Sequence, residues 1–304
     1  MFLGGLLLLA LLLHARAVQL GTGSDALART VAQGITDKTG KPVVVENRAG
    51  GGGNVAAATV AKSLADGHTL LAAPSTLAAN PKLYKTLPFD TLKDLQNVML
   101  IGTAPMVLTT NPSKPYKGFD DVVKLAKAKP AALTFGSVGS GSLGHLAMML
   151  VQQQAGIKMI HVPYKGGGPA ITDTIGGQID FAVTSVAVPG PHIKAGRLRA
   201  VVSTGDKRSH VVPDTPTLIE SGLPGMSALA WWGWVAPAGL PAPLLAKVHG
   251  EMTKVYAQAD LRKQITEQLG MDLVASSPEA MTKFLTAEIG RWAKVVKENG
   301  IRAD

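Results

Sequence analysis

The sequence predicts an α/β fold: two lobes with mostly parallel central sheets, joined by two crossing strands. Short apolar runs alternate with amphipathic segments along the chain, as is characteristic of α/β folds. Two long extended runs, near 98–110 and 227–236, bracket a middle block with strands and helices of its own. We therefore expect lobe 1 to comprise residues 18–104 and 231–304, lobe 2 to comprise residues 105–230, and a cleft to lie between them.

Short apolar runs rich in β-branched residues predict the strands. The first is Pro42-Val43-Val44-Val45, and a long run over 98–110 should be interrupted at Pro105. The remaining predicted strands cover 69–73, 133–135, 160–162, 179–184, 198–203 and 227–235.

Helices are predicted where apolar residues recur at helical spacing. Leu27, Val31 and Ile35 recur every four residues, Ser24 is a suitable N-cap and Gly40 a suitable stop, so residues 25–39 should be a helix. The other predicted helices cover 54–64, 119–129, 143–154, 171–175, 244–257, 261–268 and 278–299.

The first segment has features of an export signal. Its Leu-dominated run over 6–13 is shorter than the roughly 20 residues that span a bilayer, and Ala15-Arg16-Ala17 fits a signal-peptidase site. The basic residue expected at the start of a signal is absent from residues 1–5. We expect 1–17 to be a signal-like segment, with a buried first strand or helix as the alternative.

Composition narrows the function classes. Of 304 residues, 46% are hydrophobic and 17% charged, which excludes a disordered chain. The net charge of +9 comes with only 5% aromatic residues and no run of five basic residues, so attraction of anionic small molecules explains it better than nucleic-acid binding. Because the chain has no cysteine, disulfides and thiolate chemistry are excluded.

Two loops rich in glycine and hydroxyl side chains are candidate anion-binding sites. Gly21-Thr22-Gly23-Ser24-Asp25 precedes a predicted helix, and the segment 136–142 (GSVGSGS) lies between a strand and a helix. Glycine lets a ligand approach the backbone, and the first turn of a helix presents free N–H groups and a positive dipole end. Facing each other across a cleft, the loops would hold a carboxylate without arginine. An ordinary strand–helix turn is the alternative for each.

Enzyme signatures are weak. Gly51, Gly53 and Ala56 fit G-x-G-x-x-A, but polar residues separate them from the preceding strand and the acidic partner is missing. The sequence Ser140-Gly141-Ser142-Leu143-Gly144 has serine where a nucleophile elbow needs glycine. The seven histidines form no H-x-H or H-E-x-x-H motif. We expect a binding protein without metal or cofactor; the alternative is an α/β enzyme acting on a small carboxylate.

Two further groups of residues have structural interpretations. Asp173 and Asp180 are single carboxylates near helix starts or strand ends, where helix capping is the expected role. The cluster Trp231-Trp232-Gly233-Trp234 lies in the second crossing run, where it either packs in the hinge or stacks on a ligand.

Five motifs and a C-terminal segment occur in order along nearly the whole chain. They are 42–54 (PVVVENRAGGGGN), 66–71 (DGHTLL), 80–84 (NPKLY), 161–166 (HVPYKG), 191–196 (PHIKAG) and 291–297 (RWAKVVK). Together they resemble the Bug family, the extracytoplasmic solute-binding proteins of tripartite tricarboxylate transporters.

The resemblance implies a type II periplasmic-binding-protein fold in an exported, monomeric protein. It implies that the lobes close on a di- or tricarboxylate, an acidic amino acid or an aromatic acid, for delivery to the membrane components of a tripartite tricarboxylate transporter. No cofactor and no nucleic-acid partner are implied. Since only Val18-Gln19-Leu20 separate the possible cleavage site from Gly21, the first strand expected in the family is either missing or supplied by the Leu run.

Ligand-binding residues are carried over by position from the same resemblance. Thr184 and Ser185 stand where many members have Asp-Asn, so ligand preference is expected to differ here. The full set is Thr22, Gly23, Ser24, Asp25, Ser75, Thr76, Ser137, Gly139, Ser140, Gly141, Ser142, His145, Thr184 and Ser185.

Overall fold

The computed structural model describes residues 15–19, 21–48 and 50–302. Its strands are β1 (Ala15–Gln19), β2 (Val43–Asn47), β3 (Thr69–Pro74), β4 (Leu95–Thr110), β5 (Thr134–Ser137), β6 (Ile160–Pro163), β7 (Phe181–Ser185), β8 (Arg199–Ser203), β9 (Leu229–Pro237) and β10 (Asp272–Leu273). The predicted α/β class is confirmed.

Helices flank these strands along the described chain. They are α1 (Gly21–Thr39), α2 (Asn54–Ala61), α3 (Thr76–Leu83), α4 (Phe119–Ala128), α5 (Leu143–Ala155), α6 (Gly167–Ile175), α7 (Gly190–Lys194), α8 (Ala242–Tyr256), α9 (Ala259–Lys263) and α10 (Pro278–Glu298). A 3₁₀ turn covers Gly51–Gly53 and a π turn covers Gln264–Gln268. Among the described residues, no helix has the length and apolar character that crossing a membrane requires.

The strands form a mixed sheet in the order β2-β1-β3-β9-β4-β7-β5-β6, with β8 and β10 also paired to β4. β1 runs parallel to β2 and β3, and β5 runs parallel to β6 and β7. The two long strands β4 and β9 are antiparallel to each other and to their other neighbours. β4 pairs with β9 over Leu95–Pro105 and with β7 over Met106–Thr110, so it links the two parallel groups.

The predicted interruption at Pro105 is wrong, because β4 continues through it. Pro105 is the last residue of β4 paired with β9, and its carbonyl accepts the N–H of Val186 at 3.0 Å. A proline lacks the N–H that an interior ladder position needs. At this change of partner no ladder bond is lost, and the next N–H, that of Met106, donates to the Thr204 hydroxyl at 3.0 Å.

β1 is the largest departure from expectation. It lies between β2 and β3, with Ala17 opposite both Val45 and Leu70. The family's first strand is therefore neither missing nor supplied by residues 6–13, because residues 15–19 take its place. Residues 1–14 of the predicted signal-like segment lie outside the described residues, but its last three residues, including the predicted cleavage site, belong to β1.

Two helix predictions also need correction. α1 begins at Gly21 rather than at residue 25, so Ser24 is a buried residue of its first turn and not its N-cap. α3 was not predicted, because Leu77, Ala78, Ala79, Asn80 and Leu83 are all buried and Pro81 lies inside it. A helix buried on most sides has no amphipathic period from which to recognise it.

Asp180 is a structural anchor rather than a helix cap. Its Oδ2 accepts hydrogen bonds from the Thr134 amide and hydroxyl, both at 3.0 Å. Its Oδ1 lies 3.3 Å from both Lys114 Nζ and Tyr116 Oη. The capping role predicted for Asp173 is also wrong, since that residue lies inside α6 and accepts the Tyr164 hydroxyl at 2.7 Å.

We expect Asp180→Ala to lower the free energy of unfolding by about 3 kcal/mol, because it removes a largely buried charge that several donors share. Burial raises the pKa of the Asp180 carboxyl, but hydrogen bonds from Thr134 and Lys114 outweigh it and bring the pKa below its usual value of 3.8. The stabilisation is therefore present above pH 3.8 and is lost as the pH falls through the lower folded-state value.

Urea unfolding of the variant at neutral pH measures this loss. Asp206→Ala, at an exposed carboxylate, is the matched control and should stay within about 0.5 kcal/mol of the parent. Equal stabilities for the two variants would contradict the role given to Asp180.

Candidate ligand-binding site

Two groups of parallel strands end in the loops that carry the predicted ligand-binding residues. β1 and β3 lead into α1 and α3, which places Ser24, Asp25, Ser75 and Thr76 at one sheet edge. β5 leads into residues 137–142, called the binding loop below, and β7 ends at Thr184 and Ser185. Because parallel strands end at a common edge, the side chains that follow β1 and β3 lie near one another, and so do those that follow β5 and β7.

The binding loop approaches α3 directly. A Cβ built on Gly141 would lie 2.7 Å from Leu83 Cδ1, and Gly141 has φ +73°. Only glycine fits both the close approach and the left-handed backbone. The loop after β5 therefore meets the end of the helix that follows β3.

Hydrogen bonds fold the binding loop onto itself. Ser142 is the N-cap of α5, and its hydroxyl donates to Ser137 Oγ at 3.1 Å. Ser137 is fully buried and donates to the Gly139 carbonyl at 3.0 Å. Ser140 is exposed. The hydroxyls of Ser137 and Ser142 thus shape the loop, while the exposed Ser140 hydroxyl is available to a ligand.

Two histidines contact the binding loop, one at Gly141 and the other at Ser137. Their rings, on His145 and His161, stack with centroids 3.9 Å apart and an interplanar angle of 9°. Burial lowers the pKa of His145, and burial together with the charge of His145 lowers the pKa of His161 to about 4. Sequence reasoning predicted His145 but missed His161, which reaches the site only because β6 pairs with β5 opposite Phe135.

Thr184 and Ser185 present buried hydroxyls without hydrogen-bond partners among the described residues. Thr184 is fully buried, and its Cγ2 lies 3.5 Å from the Cβ position of Gly167, the first residue of α6. Leaving a buried hydroxyl unpaired costs about 1–3 kcal/mol, so such groups normally have a ligand or an ordered water as partner.

At the edge formed by β1 and β3, the polar side chain of Asp25 already has hydrogen-bond partners within the protein. The Asp25 carboxylate accepts hydrogen bonds from Arg29 Nε at 2.9 and 3.0 Å and from Asn47 Nδ2 at 2.8 Å. Ser75 is buried where α3 begins, directly before Thr76. Thr22 and Gly23 contribute backbone in the first turn of α1. Asp25 therefore positions this edge, while the helix N-termini supply donors.

The glycine-rich turn after β2 has a packing role. Asn80 Nδ2 donates to the Gly52 carbonyl at 3.1 Å and to Asn54 Oδ1 at 2.7 Å. Gly52 has φ +57°, and a Cβ there would lie 3.1 Å from Tyr84 Oη. These contacts account for the glycines without a nucleotide.

Solved structures of solute-binding proteins share this architecture. The chain is similar to R. palustris Rpa4515 with adipate, at 30% identity and TM-score 0.88, covering 95% of this chain and 98% of that one. It is similar to MatC from Rhodopseudomonas palustris with bound malate, at 29% identity and TM-score 0.84, covering 93% and 99%. It is also similar to the periplasmic binding protein BugD, at 26% identity and TM-score 0.86, covering 95% and 98%. The fold and its paired edges are thus those of the periplasmic-binding-protein class.

Sequence comparison specifies the family. The model described as the tripartite tricarboxylate transporter family receptor matches residues 27–301. Protein BugT of Bordetella pertussis is 34% identical over 284 residues, which are 93% of this chain and 87% of BugT. The chain belongs to the tripartite tricarboxylate transporter receptor family, and the resemblance to Bug proteins is confirmed.

Proposed function

We propose that this protein binds a small carboxylate, with dicarboxylates such as malate or adipate as the first candidates, between its two loop-bearing edges. The observation that carries the proposal is the binding loop at the N-terminus of α5, which meets α3 through Gly141 and Leu83. Relatives of 29% and 30% identity hold malate and adipate. A dicarboxylate has one anionic group for each edge.

Neutral donors are proposed to hold the carboxylates. Helix N-termini favour anions through their free N–H groups and the helix dipole. Arg48, the arginine nearest the glycine-rich turn, is paired with Glu46 at 3.2 Å. The basic surface implied by the net charge of +9 attracts the anion from solution.

The two lobes are proposed to close around the ligand as rigid bodies. Lobe 1 is residues 18–104 and 231–304, and lobe 2 is residues 105–230, as expected from the sequence. The passage of β4 from β9 to β7 at Pro105 supports a hinge there, because a few residues at an element boundary suffice for domain closure.

Delivery to a transporter completes the proposed function. Membership of a receptor family of tripartite tricarboxylate transporters supports membrane components of such a transporter as the partner. The likeness to BugD, described as periplasmic, supports a periplasmic location. We propose that the protein acts there as a monomer and has no nucleic-acid partner.

The second candidate function is that of an enzyme. One observation favours it: Ser137 Oγ lies 2.7 Å from His161 Nε2. This distance is that of a nucleophile and its base. Ser137 is, however, fully buried and also bonded to Gly139 and Ser142, so its hydroxyl has no surface for a substrate. The geometry favours a structural pair.

Thermal unfolding with added acids tests the proposal. A ligand that binds only the folded state stabilises it by RT ln(1 + [L]/Kd), about 2.7 kcal/mol at a hundredfold excess over Kd. We expect malate or adipate to raise the Tm and adipamide, the uncharged diamide of adipate, to leave it unchanged. Equal effects of adipate and adipamide, or conversion of the bound acid in the NMR spectrum after long incubation, would contradict the proposal.

A further inference from the structure

His145 and His161 connect the two ends of the binding loop. His145 Nδ1 accepts the Gly141 N–H at 3.0 Å, near the loop's end. His161 Nε2 lies 2.7 Å from Ser137 Oγ, at the loop's start. Because the two rings stack on each other, the hydrogen bonds at the start and at the end of the loop depend on one shared contact.

The His145 contact requires a neutral ring, and the stacking disfavours charge on both rings. A nitrogen that accepts the Gly141 N–H carries no proton, so the proton of His145 is on Nε2. Parallel rings at 3.9 Å are favourable when neutral and repel when both are charged. Burial disfavours the charged forms further, in agreement with the lowered pKa values of both histidines.

The elements around the pair offer little charge to offset protonation. α5, β5, β6 and β7 contain no acidic or basic side chain other than the two histidines. α10, which packs against α5, carries ion pairs between Glu288 and Arg291 and between Lys294 and Glu298. The other charged groups of the segments packed around these elements are Lys82, Lys85, Lys114, Lys158, Lys165, Asp173, Asp180, Glu279, Lys283 and Lys297.

We propose that His145 and His161 are positioning residues that hold the binding loop in its ligand-binding shape while their rings are neutral, so that acid releases the ligand. The release rests on the proposed function, whereas the response of the loop to pH does not. His161, the first residue of the 161–166 (HVPYKG) motif, joins the site through this role.

Protonation of His145 has a direct geometric consequence. Its Nδ1–H would face the Gly141 N–H at 3.0 Å, and two donors cannot share that contact. Gly141 and His145 must then move apart, which disturbs the loop where it approaches Leu83 of α3. Rearrangement of the loop outweighs the attraction of a new positive charge for the anion, because the loop supplies several donors at once.

Hydrogen exchange of the Gly141 amide in the ligand-free protein tests the loop's response. We expect its protection to fall about tenfold or more between about pH 7 and pH 4. In His145→Asn, the amide oxygen replaces Nδ1 as acceptor, so protection should persist and lose its pH dependence. His145→Phe should remove the protection at every pH. His210→Gln, at an exposed histidine bonded to the Thr266 carbonyl, is the control and should behave like the parent.

Affinity for malate and adipate tests the release. Because the acids themselves titrate in this range, the parent is compared with the double variant His145→Asn, His161→Gln at each pH. We expect the parent to lose about tenfold more affinity than the double variant between about pH 7 and pH 4.

Two outcomes would overturn the proposal: a Gly141 amide whose protection is independent of pH, or parent affinity that falls no more than that of the double variant. If neither acid binds at neutral pH, the proposed function fails for these probes, and the exchange measurement still decides the role of the histidines.

Discussion

A chain that begins at Val18 is expected to lose the fold of the part of the sheet formed by β1, β2 and β3, whereas a chain that begins at Ala15 is expected to keep it. β1 lies between β2 and β3, so a missing β1 leaves two strand edges unpaired inside the sheet. Removing Ala15, Arg16 and Ala17 deletes three of its five pairings with β2 and two of its four pairings with β3.

The expected loss is comparable with the whole stability of a domain. Each lost backbone hydrogen bond contributes about 0.5–1.5 kcal/mol, and each large apolar side chain exposed costs about 1.5–3 kcal/mol. Leu70 and Leu71 of β3 and Leu27 of α1 are buried in the core beside this strand. Together these terms approach the 5–15 kcal/mol that holds a domain folded.

Urea unfolding of three chains, 1–304, 15–304 and 18–304, measures the effect. The comparison of 15–304 with 18–304 isolates the three strand residues, because the two chains share everything else. An 18–304 chain as stable as the 15–304 chain would contradict the role assigned to β1. Mass spectrometry of the protein isolated from cells tests the same point. Processing after Ala17 would remove three of the five residues of β1, so we expect the mature chain to retain Ala15.

The α/β class was predictable because the local pattern of apolar and polar residues distinguishes buried strands from amphipathic helices. Buried strands such as 69–73 are short apolar runs bounded by polar turns, and amphipathic helices such as 119–129 show their period. β1 was not predictable, since Ala15-Arg16-Ala17-Val18-Gln19 has neither an apolar run nor strict alternation and also fits a cleavage site. Its pairing with two distant strands, rather than its own preference, makes it a strand.

The candidate site also has residues that the sequence predicts and a residue that it does not. The binding loop was predictable because glycines and serines lie between a strand and a helix in consecutive residues. His161 was not predictable as a site residue, since its position beside the loop depends on the pairing of β6 with β5. Sequence shows which side chains follow a strand, but not which of them a neighbouring strand brings together.

Replacing both Ser140 and Ser142 with alanine is expected to have the largest effect on binding. A hydrogen bond to a charged group contributes about 1.5–3 kcal/mol, so loss of the Ser140 donor should cost about that much. Loss of the Ser142 hydroxyl, which shapes the loop through Ser137, adds to this cost. At about 1.4 kcal/mol per factor of ten, affinity for malate or adipate should fall by at least roughly tenfold to a hundredfold.

The single variants should separate the two roles. Ser140 is exposed, so Ser140→Ala should weaken binding and leave the free energy of unfolding unchanged. Ser142 caps α5 and bonds Ser137, so Ser142→Ala should also lower stability by about 1 kcal/mol. Ser113→Ala, in the turn after β4 where the hydroxyl bonds Asn111, is the matched control. Calorimetric titration and urea unfolding of all four variants measure both quantities. An acid that binds the double variant as tightly as the parent would show that the binding loop is not where the carboxylate is held, because this variant lacks both the exposed Ser140 hydroxyl and the Ser142 hydroxyl that shapes the loop.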